Sequence, residues 1–172
     1  MSSTPIQWSH FPASRPCPWQ LEQIVDCFKD AELRISSSNH QLTSDQVLSE
    51  LAAGLEDLGF SVERSKSAKD KIKVPVLFGR NGEPIKTFEA DAYHSEQGVV
   101  LEVEAGRGYT NNQFLKDLFQ ASVMHGVQYA AIAVRLDYKK VRDFEKVIGF
   151  IETLYASDRL KLPLTGLLIL GY

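Results

Sequence analysis

The residues of this chain best suited to chemistry are three acids in the stretch 88–108, which reads Phe-Glu-Ala-Asp-Ala-Tyr-His-Ser-Glu-Gln-Gly-Val-Val-Leu-Glu-Val-Glu-Ala-Gly-Arg-Gly. Asp91 falls on one expected strand, and Glu102 and Glu104 fall on the next, after a tight turn. Side chains alternate faces along a strand, so Glu102 and Glu104 share one face while Leu101 and Val103 take the other. Two carboxylates about 7 Å apart repel by roughly 2 kcal/mol at an effective dielectric near 20, and Asp91 nearby adds to that. A bound divalent cation removes the repulsion. Hard cations such as Mg²⁺ and Mn²⁺ take carboxylate, water and phosphate oxygens, which is the ligand set such a site offers.

The same alternation also describes an ordinary antiparallel hairpin with one solvated face, where polar residues are the norm. The neighbouring sequence weighs against that reading. The acid-bearing strand starts from Gly98-Val-Val-Leu and is followed by a Gly-Arg-Gly turn, a helix, and the run Val127-Gln-Tyr-Ala-Ala-Ile-Ala-Val134, which reads as a central strand. Helical crossovers cover sheet faces, so acids on such a face call for another explanation than solvent.

The elements that must position these acids follow from hydrophobic periodicity. Residues 1–15, rich in Ser and Pro, read as irregular, with Trp8 and Phe11 as possible anchors. Beyond Pro18, Leu21, Ile24, Val25 and Phe28 recur at helical spacing. Thr43-x-x-Gln46 is a capping box opening a second helix with Val47, Leu48, Leu51, Leu55 and Leu58 as its stripe, ended by Gly59. Strands are expected at 60–64, 72–78, 85–94 and 99–105, with a hairpin turn at Gly79-Arg-Asn-Gly82. A helix capped by Thr110 or Asn111 should run to about His125 with Phe114, Leu115, Leu118 and Val123 inward, before the strand at 127–134. A helix over 138–156 and a short strand over 164–170 close the chain. Together these predict one α/β domain over 1–172, with a central mixed β-sheet flanked by helices.

Composition bounds the partners. With 172 residues, 44% of them hydrophobic, the chain can bury a core without disulfides. Cys17 and Cys27 lack a Cys-x-x-Cys spacing or clustered histidines, which argues against zinc. No apolar stretch suits a membrane span or a signal peptide, so a cytoplasmic protein is expected. The net charge of −3 gives no overall attraction to nucleic acid, and any such partner must be held by a local patch. The run from Arg64 to Lys73, five cations in ten residues with a single acid, is one candidate, and Lys71 and Lys73 are its members nearest the acids. Its alternative is a solvated loop. His94 and His125 have no Gly-x-Ser-x-Gly elbow to complete a triad, and Walker and Gly-x-Gly-x-x-Gly loops are absent from the sequence.

From about Leu42 to Tyr172 the sequence resembles the PD-(D/E)xK nuclease superfamily, to which many type II restriction endonucleases belong. Ala90-Asp91 stands where the family often has Pro-Asp, and Glu102-Val103-Glu104 where it has acid-x-Lys. Glu in place of the final Lys is the variant found in restriction endonucleases of the BamHI kind, while those of the BglII kind carry Gln there. The resemblance implies a restriction endonuclease-like fold and Mg²⁺- or Mn²⁺-dependent hydrolysis of DNA, with the cation held by Asp91, Glu102 and the Val103 carbonyl. It puts Glu104 in the Lys position, as general base or ligand to a second metal, and points to Glu50 as a possible additional acid.

The segment after the motif offers substrate contacts. Arg107 lies between two glycines, and Asn112, Gln113 and Lys116 fall on the first turns of the following helix, where N–H groups favour anions. Tyr109 is placed to stack on a base or sugar, though it could equally be a packing residue. Cutting both strands of a duplex would require a homodimer. The competing function is a nuclease-like module that has lost catalysis and serves to bind DNA or protein.

Overall fold

The computed structural model of the chain describes residues 5–65, 67–106, 111–137 and 141–172. Among them, helix α1 (Trp19–Ile35) starts after Pro18 and buries Leu21, Ile24, Val25, Phe28, Ala31 and Ile35 along one stripe. Helix α2 (Ser44–Asp57) opens on the expected capping box: Thr43 Oγ1 accepts the Gln46 N–H, and Gln46 Oε1 accepts the Thr43 N–H. Replacing Thr43 by Ala should therefore cost about 1 kcal/mol, measurable as a lower urea midpoint at unchanged m-value.

The strands are β1 (Gln7–Phe11), β2 (Ser61–Val62), β3 (Ile72–Phe78), β4 (Pro84–Ala90), β5 (Ala92–His94), β6 (Val99–Glu104), β7 (Tyr129–Val134) and β8 (Gly166–Gly171), with α3 (Gln113–Val123) and α4 (Asp143–Ser157) between the later ones. Six of them form a mixed sheet in the order β1-β8-β7-β6-β5-β2. The central strands β6, β7 and β8 run parallel, whereas β1 joins β8, and β5 joins both β6 and β2, in antiparallel pairing. The parallel strands read as nearly continuous apolar runs because both of their faces are covered. Leu101, Val103, Ala131, Ala133, Leu168 and Leu170 pack towards α1 and α2. Val100, Ile132, Val134, Leu167 and Ile169 pack with Phe114, Leu118, Phe144 and Ile151 of α3 and α4.

Gly98 sets the register of the central pair. Its φ is +63°, its carbonyl accepts from Gln128 N at 2.8 Å and Tyr129 N at 3.0 Å, and a Cβ there would lie 2.4 Å from the Gly126 carbonyl. Only glycine fits that approach. With it fixed, Glu102 lies beside Ile132 and Glu104 beside Val134.

Several expectations need correction. The N-terminal segment is not irregular throughout: Gln7–Phe11 is an edge strand on β8, with Phe11 buried. The strand expected at 60–64 shrinks to Ser61–Val62. The single strand expected at 85–94 breaks at Asp91, because β4 leaves the main sheet to pair with β3 in a separate two-stranded sheet. Helix α3 has Asn112 as its N-cap, in the left-handed region at φ 54° and without a side-chain cap, in place of Asn111. Thr110, the other expected cap, lies outside the described residues. Within those residues no helix is long and apolar enough to cross a membrane.

Candidate active site

The break between β4 and β5 is what delivers Asp91 to the acid pair. Its carbonyl accepts the Glu63 N–H at 2.8 Å, and its carboxylate Oδ2 accepts the Val103 N–H at 2.8 Å, continuing the β5–β6 ladder through a side chain. The N–H and C=O of one residue leave a strand on the same edge, so the Val103 carbonyl faces the edge where β5 has ended. Alternation along β6 sends Leu101 and Val103 into the α1/α2 core and turns Glu102 and Glu104 towards α3. Both glutamates are partly buried, which removes the solvated-hairpin reading.

Asp91, Glu102, Val103 and Glu104 line one open cavity of about 420 Å³, closed on its sides by α3 and the β3–β4 hairpin. Helix α3 adds Lys116 and a fourth acid, Asp117, which faces Glu104. Asp117 is only 3% exposed. It went unnoticed because a helical acid is solvated by default, yet its spacing with Phe114, Leu118 and Ala121 puts it on the buried stripe.

Burial dominates the electrostatics. It pushes the Asp91 carboxyl up to about 6, against the Val103 hydrogen bond that favours the ion, and the charges of Glu63 and Glu104 push it further up. Glu102 is raised well above the usual carboxylate range, first by burial and then by the charges of Asp91, Asp117 and Glu104. Asp117 is raised by burial and by Glu104, and Glu104 by burial. Glu102 Oε1 and Asp117 Oδ2 have no accessible surface and no hydrogen-bond partner among the described residues.

No family model matches the chain, and no curated protein matches it in sequence. Among solved structures, the crystal structure of free BglII is similar over 98% of this chain and 79% of that one, with a TM-score of 0.50 and 12% identity. The fold is restriction endonuclease-like. The likeness is one of structure, not of sequence.

Within this restriction endonuclease-like fold the expected site residues divide. Asp91, Glu102, Val103, Glu104, Lys71 and Lys116 share the cavity. Lys71 is held by Glu63 at 2.9 Å and Glu89 at 3.2 Å, so its charge is already matched by two carboxylates. Lys73 is exposed on β3, and Asn112 and Gln113 open α3 without lining the cavity. Glu50 is not brought to the acids: it pairs with Arg34 at 2.9 Å and lines a separate groove between α1 and α2. Arg107 and Tyr109 lie outside the described residues. Glu63, like Asp117, joins the cavity without having been expected there.

Among the described residues no three His, Cys, Asp or Glu side chains are gathered into a ready-made cation cage. The donor set nevertheless fits a hard divalent ion. All four acids offer oxygen, two buried oxygens lack partners, and burial together with neighbouring carboxylates disfavours the ionised form of Asp91, Glu102 and Asp117, a cost that a bound cation would relieve.

Proposed function

We propose that this chain is a Mg²⁺- or Mn²⁺-dependent endonuclease that hydrolyses phosphodiester bonds in double-stranded DNA, in the manner of a type II restriction endonuclease. The observation that carries the reading is Glu102: a carboxylate on a central strand, with one oxygen enclosed and partnerless, beside Asp91 and open to a cavity. Asp91, Glu102 and the Val103 carbonyl are assigned to hold the cation. When bound, that ion lowers the pKa of water and neutralises charge developing on the phosphate.

The chain's own groups supply the rest. The Val103 N–H fixes the Asp91 carboxylate, so one of its oxygens is oriented before any ligand arrives. Glu104 occupies the Lys position of the motif, where a carboxylate accepts a proton or binds a cation and cannot lend positive charge. Lys116 on the cavity wall is assigned to a substrate phosphate, with Lys73, Asn112 and Gln113 as outer contacts and Arg107 and Tyr109 on the segment between β6 and α3. Lys71 serves there through its ion pairs, setting Glu63 and Glu89 at the rim. A homodimer would present one such site to each strand of the duplex.

A non-catalytic DNA-binding module is disfavoured, since buried unneutralised carboxylates repel the phosphates such a module must attract. The decisive assay incubates supercoiled plasmid with the purified protein in EDTA, Mg²⁺ or Mn²⁺, beside Asp91→Ala prepared identically. Nicked or linear DNA is expected only from the wild-type protein with a divalent ion. Intact plasmid in every lane, or equal cutting by Asp91→Ala, would remove the nuclease assignment.

A further inference from the structure

We propose that Tyr172 and Ser44 are positioning residues of this site: from opposite edges they grip the peptide between Glu104 and Ala105 at the end of β6, and so aim the Val103 carbonyl and the Glu104 carboxylate at the cavity. The loss of cleavage that follows from breaking the grip rests on the nuclease reading; the grip itself, read through cation binding, does not.

The end of β6 needs such support because its neighbour on one side stops short. Strand β5 pairs only with Val99, Val100 and Leu101, so Glu102, Val103 and Glu104 run on beside β7 with no strand among the described residues along their outer edge. Just beyond, the chain leaves the sheet at Gly106, whose φ is +111°. Three side chains from distant parts of the sequence replace the missing ladder. Asp91 Oδ2 accepts the Val103 N–H at 2.8 Å, Ser44 Oγ accepts the Ala105 N–H at 3.1 Å, and the Tyr172 hydroxyl donates to the Glu104 carbonyl at 3.0 Å. The last two bonds act on one rigid unit, since the Glu104 C=O and the Ala105 N–H belong to the same planar peptide and point to opposite edges of the strand. Asp91 holds the peptide that precedes Val103. Between these two held planes lies the peptide that carries the Val103 carbonyl, and fixing its neighbours leaves little rotation to it or to the Cα that bears the Glu104 carboxylate.

Tyr172 is fitted to this bond rather than to packing alone. Its side chain is 1% exposed in the core under α1, with the Phe28 ring 6.2 Å away, a setting that Phe would fill equally well. Its main chain is fixed too, because Tyr172 N donates to the Val134 carbonyl at 3.1 Å and the Tyr172 carbonyl accepts from Leu136 N at 3.0 Å. A buried phenol requires a partner for its O–H, and here that partner is the carbonyl of a cavity residue. Burial holds the phenol well above its ordinary range, so it stays a donor at working pH. The Arg135 guanidinium lies against the phenol and donates to the Leu42 carbonyl, two residues before Ser44. Both sides of the grip are thereby tied to one frame, and Ser44 itself lines the cavity with Asp91, Glu102 and Glu104.

Calorimetric titration of the full chain with Mn²⁺ at pH 8 without DNA, beside plasmid-cleavage kinetics at saturating Mn²⁺, tests the assignment on wild type, Tyr172→Phe, Ser44→Ala and Ser44→Thr. Removing a group that orients a metal ligand costs about 10–100-fold in affinity or activity. Mn²⁺ binding weaker by about tenfold or more, and kcat lower by about 10–100-fold with KM for DNA little changed, are therefore expected for Tyr172→Phe and Ser44→Ala. Ser44→Thr keeps the accepting oxygen and should recover most of the loss seen in Ser44→Ala. A role in packing alone would lower the Tm of Tyr172→Phe and leave Mn²⁺ affinity and kcat as in wild type, which would overturn the proposal. Should Tyr172→Phe fail to fold, the Ser44 pair decides, and equal Mn²⁺ affinity in Ser44→Ala and Ser44→Thr would likewise overturn it. Weakened Mn²⁺ binding in the expected pattern, with plasmid left intact by every protein, would uphold the grip while the nuclease reading fell. Metal-dependent cleavage by the wild type with unaltered Mn²⁺ affinity in the variants would do the reverse.

Discussion

Glu102→Gln is expected to make the metal-free protein more stable while removing its cleavage activity. Glu102 brings a carboxylate into a site where burial and the charges of Asp91, Asp117 and Glu104 all disfavour the ion, and its Oε1 has no donor. Gln fills the same volume without the charge, and its amide N–H groups can be accepted by the neighbouring carboxylates. Neutralising poorly compensated buried charge is often stabilising, and here about 1–3 kcal/mol is expected at pH 8 in EDTA, or several degrees in Tm. Cleavage in Mg²⁺ should fall by on the order of 10²–10³, the usual loss when a group stabilising transition-state charge is removed. Opposite signs for stability and activity distinguish a functional acid from a structural one. A variant that melted lower than wild type in EDTA and still cut plasmid would show that Glu102 is part of the scaffold.

Much of this architecture could be read from local pattern, because local pattern is what decides it. The capping box at Thr43 and Gln46 forms from residues three apart, and alternation along β6 places Glu102 and Glu104 on one face whatever the rest of the chain does. What escaped depends on partners far away in sequence. Gln7–Phe11 is a strand because β8, at the other end of the chain, offers it an edge. Ala90-Asp91-Ala92 continues an unbroken alternation, and the interruption at Asp91 exists only because β4 follows β3 out of the main sheet.

The candidate site divides along the same line. Lys71 read as part of a basic run, but Glu63 and Glu89 converge on it in space and match its charge. Glu50 lies off the buried stripe of α2, where Arg34 of α1 meets it. Asp117 was within reach of the sequence, since the periodicity that marked Phe114 and Leu118 as buried includes it.

Asp91 leads to the second large effect, a fall in the stability of the metal-free protein as pH rises. Its carboxyl moves from 3.8 to about 6 on folding, so between those values the folded chain holds more protons than the unfolded one. The stabilisation linked to that proton is complete below 3.8 and is lost as pH passes through about 6; the full span is worth about 3 kcal/mol. Glu102, also raised, extends the loss to higher pH. About half of that span falls above pH 5, so in EDTA the Tm of the wild-type protein should drop by roughly 3–6 °C between pH 5 and pH 8 relative to Asp91→Asn, which keeps an acceptor for the Val103 N–H but cannot ionise. A divalent ion reverses the slope. It binds the ionised acids, so at pH 8 Mn²⁺ at about 100 times its Kd should restore roughly 2.7 kcal/mol, and at pH 5 protons hold the same oxygens and the gain should be small. Thermal melts at the two pH values, with and without Mn²⁺, read both effects. Parallel wild-type and Asp91→Asn curves, or an equal Mn²⁺ gain at pH 5 and pH 8, would mean that Asp91 neither titrates with folding nor meets the ion.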